Sequence, residues 1–410
     1  MKRPHHALIA AALAAATALA PAGLVMAAPE TPAPSAPAAA KQDPAAVVQA
    51  EIDKGLAYLK SQQKPDGSWQ GVGDPPAITA IVLNAFVQDP KHGPDQDFIK
   101  KGYANLLSHQ KEDGSISADF LATYNTAIAT SALASAKSAE YKPAVDKAVA
   151  YLRTLEWTDK IQGVPDQTKK VDSTDPRYGG FGYGHSGRPD LSNAQTALDA
   201  LHDAGLKPGD PAYDAALKFI TRSQNNSETN DQKWAGDDGS FIYTPAEGGA
   251  SVAGEYTSPD GRRMLRGYGS MTYAGLKSMI YAGLTKDDAR VKAAWSWIGK
   301  NWTLDQNPGI QFANPKDPKA ADYGLFYYYH TLARALRAYG EPVITDPKGG
   351  RHDWRVELIE KLARDQSPDG SWMGTQKWME NKPILSTAYA VLSLQEAQQD
   401  LKAHPPQAGK

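Results

Sequence analysis

The sequence predicts an all-α fold, an (α/α)6 toroid of six outer/inner helix pairs, and three observations carry that prediction. The first is a recurring phrase: a helix ending in Gln, then Asp-Gly-Ser, a bulky apolar residue and a helix of small residues. It reads Gln63-Lys64-Pro65-Asp66-Gly67-Ser68-Trp69, then Gln110-Lys111-Glu112-Asp113-Gly114-Ser115-Ile116. It returns as Asp237-Asp238-Gly239-Ser240-Phe241 and Gln366-Ser367-Pro368-Asp369-Gly370-Ser371-Trp372. Recurrence every 50 to 70 residues or so marks a repeat architecture. The second observation is an alternation of helix types. Outer helices carry charge on one face (Asp53, Lys54 and Lys60; Arg355, Glu357, Glu360, Lys361 and Arg364), while inner helices such as Thr126-Ala127-Ile128-Ala129-Thr130-Ser131-Ala132 are nearly uncharged. A helix polar on no face is buried all round. The third is that the terminal units resemble the internal ones. A stacked solenoid needs polar end caps, so the likeness favours closure into a ring.

The units follow in order by helical spacing of apolar residues. They pair 47–63 with 78–87, 99–110 with 123–136, 141–155 with 192–204, 211–225 with 270–282, 287–301 with 325–339, and 354–365 with 385–398. The third and fifth units are degenerate at the turn, with Tyr178-Gly179-Gly180-Phe181 and Asn307-Pro308-Gly309-Ile310. Each turn reads as scaffold. Its Gly supplies positive φ after a helix, its Asp binds nearby N–H groups, and its apolar residue folds into the groove between helices.

Before these units, Lys2 and Arg3, the apolar stretch Ala7 to Ala20 and Val25-Met26-Ala27 form the pattern of a cleaved signal peptide at 1–27. Its removal takes two positive charges and no acid, changing the formal charge from -2 to -4. The mature chain is therefore expected to be exported, periplasmic or secreted, with no transmembrane anchor. Residues 28–46 read as an Ala/Pro-rich linker, 47–398 as the repeat domain and 399–410 as a disordered tail. No basic tract points to nucleic acid. The absence of Cys excludes disulfides and thiolate metal ligation.

Lys54-Gly55-Leu56-Ala57-Tyr58-Leu59-Lys60-Ser61-Gln62-Gln63, followed by Asp66-Gly67-Ser68-Trp69, resembles the Gln-Trp repeat of squalene–hopene and oxidosqualene cyclases. The likeness extends over about residues 47–398 to the prenyltransferase and squalene oxidase repeat group, which holds terpenoid cyclases and protein prenyltransferase β subunits. Arg188-Pro189-Asp190-Leu191-Ser192-Asn193, Tyr268-Gly269-Ser270-Met271-Thr272-Tyr273 and Tyr327-Tyr328-Tyr329-His330 are similar to exported bacterial members. The resemblance implies the toroid and, for an enzyme, isoprenoid or hydrophobic-lipid chemistry. It does not carry the family's reactions across. The place of the cyclases' Asp-x-Asp-Asp acid is Asp190-Leu191-Ser192-Asn193, where the second and third acids are replaced. The place of the prenyltransferases' zinc set is Asp322-Tyr323-Gly324 with His330, which has no thiolate. No metal or cofactor is implied.

Chemistry is expected where inner-helix N-termini converge on one mouth, since free N–H groups and the helix dipole suit a polar site there. Asp190 and His185 are the catalytic candidates, with helix capping as the competing role of Asp190. Tyr183, Arg188, Asn193, Tyr273, Tyr328 and His330 are the ligand-binding candidates; packed, hydrogen-bonded core positions are their competing role. Tyr243, Tyr256, Tyr268, Tyr327 and Tyr389 join the aromatic set. The glycine-rich segment 243–268 reads as a mobile loop over the mouth. The functional reading is an exported protein that binds a hydrophobic or glycan small molecule in a central cavity, with catalysis left open. The alternatives are a non-catalytic envelope scaffold and a glycan hydrolase or lyase using Asp172 and Asp175 with Asp237 or Asp238.

Overall fold

The computed structural model describes residues 43–118, 120–159, 170–184 and 187–405. The expected signal peptide, all but the last four residues of the expected linker, His185 and the last five residues of the chain lie outside the described residues. Twelve α-helices run among the described residues. The outer ones are α1 (Pro44–Ser61), α3 (Asp97–Leu107), α5 (Lys142–Thr154), α7 (Pro211–Arg222), α9 (Ala289–Lys300) and α11 (Trp354–Asp365). The inner ones are α2 (Ala77–Val87), α4 (Ala122–Ser135), α6 (Leu191–Asp203), α8 (Gly269–Tyr281), α10 (Leu325–Tyr339) and α12 (Pro383–Ala403).

The inner helices form a cycle. α2 packs on α4, α4 on α6, α6 on α8, α8 on α10, α10 on α12, and α12 back on α2. Small residues allow the approach: Ala127, Ala129, Ala132, Ala194, Ala197, Ala274, Ala333, Ala388 and Ala390 are wholly buried. The outer helices start on caps that their sequences supply. Asp43, Asp210, Asp288 and Asp353 each accept a first-turn N–H, and α1 and α7 begin with Pro.

The repeated phrase is the joint between neighbouring units. Asp66, Asp113, Asp238 and Asp369 accept the N–H of Ser68, Ser115, Ser240 and Ser371 at 2.9 to 3.0 Å. Gly67 sits at φ 88°, and a Cβ there would come 2.4 Å from the Lys101 carbonyl oxygen of the next outer helix. The following Trp69, Ile116, Phe241 and Trp372 are buried, and their N–H groups are bound by Thr79, Thr126, Thr272 and Thr387 of the next inner helix. Trp69 and Trp372 also donate their indole N–H to Leu59 and Leu362 carbonyls. Truncating either indole removes about 3–5 kcal/mol of packing.

The preceding Gln binds two carbonyls at once. Gln63 donates to Gly67 and Phe98, Gln110 to Gly114 and Ala144, Gln224 to Gly239 and Arg290, and Gln366 to Gly370 and Glu51. In each pair the first carbonyl belongs to the turn and the second to the next outer helix or its neighbour in the ring.

Two expectations change, and a further hairpin appears. Segment 243–268 contains a short antiparallel hairpin, β1 (Glu255–Thr257) with β2 (Arg263–Leu265), and Arg266 lies 4.6 Å from both the Tyr256 and Phe312 ring centres. A second hairpin, β3 (Val343–Thr345) with β4 (Arg351–Asp353), precedes α11. Finally, α12 continues to Ala403, beyond the expected start of the tail. Leu401 is buried, and Asp400 pairs with Arg355 at 3.1 Å, which holds the extra turn.

Candidate ligand cavity between the inner helices

The inner-helix N-termini do converge on one mouth. Their first turns, with the loops before them, enclose a cavity of about 560 Å³. Ile78, Ile81, Tyr124, Ile128, Met271, Leu385 and Tyr389 supply inner-helix walls, while Leu121, Tyr183, Tyr243, Val252, Trp378 and Met379 come from loops. The lining is aromatic and aliphatic, with few polar groups, which is the makeup of a small-molecule pocket. Leu121, Trp378 and Met379 hold φ of 52°, 54° and 66° without being glycine. Backbone strain at bulky residues persists where surrounding structure enforces it, and it concentrates at ligand sites.

The opposite ends of the same helices line a second, polar basin of about 740 Å³. It holds Asp203, Arg334, Arg337 and Glu396, and a His202 ring stacked on Tyr281 at 3.9 Å. One set of helix ends therefore faces each basin, so the inner helices run parallel.

A packed polar layer lies between the two basins. Ser192 Oγ is hydrogen bonded to the hydroxyls of Tyr124 and Tyr327. Gln195 donates to Tyr327 at 2.9 Å and accepts from Lys277 at 2.6 Å. Lys277 also donates to Asp199 at 2.7 Å, and Arg334 donates to Asp203 at 2.8 Å. Burial pulls the Lys277 ammonium down. Burial also weighs against the Arg334 guanidinium, but Asp199 and Asp203 outweigh it and hold Arg334 well above its usual range. The inner helices are thus not as uncharged as expected, because α6, α8 and α10 each place a charged side chain in this layer. The apolar cavity is confined to the end of the ring that holds the inner-helix N-termini.

Asp190 caps α6. Its carboxylate accepts the Asn193 N–H at 2.9 Å and the Asn193 amide at 2.8 Å. Burial pushes its carboxyl up to about 6 against the hydrogen bonds from Asn193 and Tyr243. Neither Asp190 nor Asn193 lines the cavity, whereas Ser192 does. Tyr183 lines it, stacks on Tyr124 and meets the Tyr243 hydroxyl at 2.7 Å. Arg188 is part-exposed and pairs with Glu247 at 3.5 Å. Tyr273 and Tyr328 pack edge to face in the core, and Tyr328 donates to the Thr303 carbonyl. His330 lies against Tyr389, and burial lowers its pKa well below the usual imidazole value. His185 is outside the described residues. The loop carboxylates serve their own turns: Asp172 binds Thr174, Asp175 binds Arg177, Asp237 binds Ser227 and Asp238 binds Ser240.

The residue that inspection of the sequence passes over is Glu380. It sits before α12, lines the cavity and is almost wholly buried. One oxygen accepts the Tyr327 N–H at 2.8 Å, at the N-terminus of α10. Burial pushes its carboxyl up to about 8. Its place just before an inner helix is the signal the sequence offers for it.

A single-residue variant of the type II terpene cyclase MstE from Scytonema matches with a TM-score of 0.54 at 14% identity, over 87% of this chain and 99% of that one. The unaltered MstE matches at 0.50 and 13% identity, with the same coverage. This chain is similar in fold to a type II terpene cyclase. A family 76 glycoside hydrolase from a bovine Bacteroides thetaiotaomicron strain matches at 0.49 and 12% identity, over 85% of this chain and 77% of that one. Other MstE structures hold geranylgeranyl dihydroxybenzoate as substrate or merosterolic acid A as product. No protein-family model matches the sequence, and no curated protein matches it either. Among the described residues no group of three or more His, Asp or Glu residues is placed to hold a metal ion, and no helix is long and apolar enough to cross a membrane.

Proposed function

We propose that the cycle of inner helices and their outer partners is an (α/α)6 toroid of the prenyltransferase and squalene oxidase repeat group. In this reading an exported chain uses it to bind a hydrophobic, isoprenoid-like small molecule. The observation that carries the proposal is the composition of the cavity wall: Ile78, Ile81, Ile128, Met271, Leu385 and seven aromatic side chains around about 560 Å³. A glycan would leave its hydroxyls unpaired against such a wall, at a cost that apolar ligands do not meet. An apolar ligand gains roughly 25 cal/mol for each Å² it removes from water.

The test is mass spectrometry of small molecules extracted from the natively purified protein, with the Ile128→Trp variant as control. Ile128 lines the cavity from the surface of α4, so an indole there fills space that a ligand would use. The expected result is an isoprenoid-class molecule in the wild-type extract and its loss from the variant. An extract empty of lipid, with no thermal shift on adding isoprenoid alcohols, sinks the reading and favours the scaffold. A cyclised isoprenoid appearing on incubation with a linear one shows turnover as well as binding.

A further inference from the structure

Glu380 is held with unusual firmness for a residue that opens no helix. Its backbone carbonyl accepts from Gly374 N–H at 2.8 Å and from Ser386 Oγ at 2.7 Å. Its Oε1 accepts from Tyr327 N–H. The two residues before it, Trp378 and Met379, are both left-handed at φ 54° and 66°, a conformation costing about 1–2 kcal/mol for each such side chain. A Cβ on Gly374 would fall 2.8 Å from Glu380 Oε2, so glycine there leaves room for the carboxyl.

Oε2 is buried and has no hydrogen-bond partner among the described residues. No cation among the described residues pairs with it. The titratable groups that feel its charge are the phenols of Tyr329 on α10 and Tyr389 on α12, and the backbone N–H groups of Leu325, Phe326 and Tyr327 at the start of α10 face the carboxyl. Lys377 lies over the Trp378 and Tyr323 rings, and Lys382 is paired with Asp74 at 2.6 Å. An ionised carboxylate in this place would be a buried charge met by backbone N–H groups alone, and the cost of burial outweighs what they return. Held neutral, the carboxyl is a hydrogen-bond donor with no acceptor in the protein, at the edge of an otherwise apolar cavity.

We propose that Glu380 selects the ligand: it donates its carboxyl hydrogen to a single oxygen acceptor (ether, epoxide, carbonyl or hydroxyl) carried by an otherwise hydrocarbon molecule. The proposal rests on the hydrophobic-cavity reading above and adds the ligand's polar end to it. Satisfying a buried donor is worth more than a solvent-exposed hydrogen bond, because the unmade bond costs the full desolvation of the group. The cavity therefore prefers an oxygenated isoprenoid to its plain hydrocarbon counterpart as long as the acid keeps its proton.

Two probes that differ only in an ether group test this, phytanyl methyl ether and phytane, with binding followed by calorimetry on the full chain at about pH 6 and about pH 9.5. The ether accepts a hydrogen bond and offers none; phytane does neither. The expected result is that the ether binds wild type about tenfold more weakly at the higher pH, where Glu380 has lost its proton, while phytane changes far less. Glu380→Gln keeps a donor at every pH, so its ether affinity stays level across the range. Glu380→Leu removes the donor, and its preference for ether over phytane disappears. If the two probes respond alike to pH in wild type, or if Glu380→Leu keeps the preference, the proposal is wrong. The wild-type comparison needs no variant and stands even where a substitution unfolds the chain. If neither probe binds at either pH, the hydrophobic-cavity reading itself falls and takes this proposal with it.

Discussion

Gln366 donates from the end of the last outer helix to the carbonyl oxygen of Glu51 in the first, at 3.1 Å and across 315 residues of sequence. The same amide binds Gly370 in its own turn at 3.0 Å. The pairing repeats what Gln63, Gln110 and Gln224 do between neighbouring units. One device therefore both spaces the repeats and joins the two ends of the chain.

Gln366→Ala leaves the carbonyls of Glu51 and Gly370 without this donor. A loss of about 2 kcal/mol in urea unfolding is expected. A change within experimental error would show that the ends are held by helix packing alone.

The glycine of the closing turn admits a sharper comparison. At Gly370, φ is 90° and a Cβ would lie 2.5 Å from the Lys54 carbonyl oxygen; at Gly209, φ is 88° and nothing lies within 4 Å. Gly370→Ala is expected to cost about 3 kcal/mol or more, since overpacking adds to strain. Gly209→Ala pays the backbone term alone, about 1 kcal/mol. Equal melting temperatures for the two variants would refute the close approach.

Lys277 is the sole basic residue of α8 and is paired with Asp199 in the layer that closes the cavity. Lys277→Met leaves the Asp199 carboxylate 3.8 Å from Arg334 as its remaining ion-pair partner. Breaking such a buried pair costs about 3–5 kcal/mol. Lys277→Met combined with Asp199→Leu removes both charges and is expected to recover most of that loss, with denaturation midpoints as the readout.

Burial raises Glu380 from 4.5 to about 8 and Asp190 from 3.8 to about 6. Between those limits the folded chain holds a proton that the unfolded chain has released, so stability falls as pH rises. Glu380→Gln is expected to flatten the decline in melting temperature between about pH 6 and 8, and Asp190→Asn the decline below about pH 6. A wild-type melting temperature that climbs through neutral pH would contradict the Glu380 assignment, and equal slopes below about pH 6 in wild type and Asp190→Asn would contradict the Asp190 assignment.

How much of this was legible in the sequence follows from range. The phrase Gln, Asp-Gly-Ser, apolar residue is local, and each part has a local reason: positive φ, a side chain bound to nearby N–H groups, and a ring that must leave water. The twelve helices and their order were therefore readable, and so was the convergence of the inner-helix N-termini. Tyr183 lies on the cavity wall because it is an aromatic residue placed just before an inner helix. Tyr273 and Tyr328 looked the same in sequence, but helix rotation turned them into the core, which periodicity near a buried helix does not reveal.

The sequence by itself determined the repeat, the order of outer and inner helices and the joints between them, because those are set by contacts within or between adjacent units. Only the tertiary structure decided that Gln366 meets Glu51, that Asp199, Lys277 and Arg334 seal one half of the ring, and that Glu380 borders the other half with an unpartnered oxygen. Those outcomes depend on residues brought together from α1 and α11, from three inner helices, and from a strained loop against α10. Charge and burial are properties of the assembled ring, and no single repeat contains them.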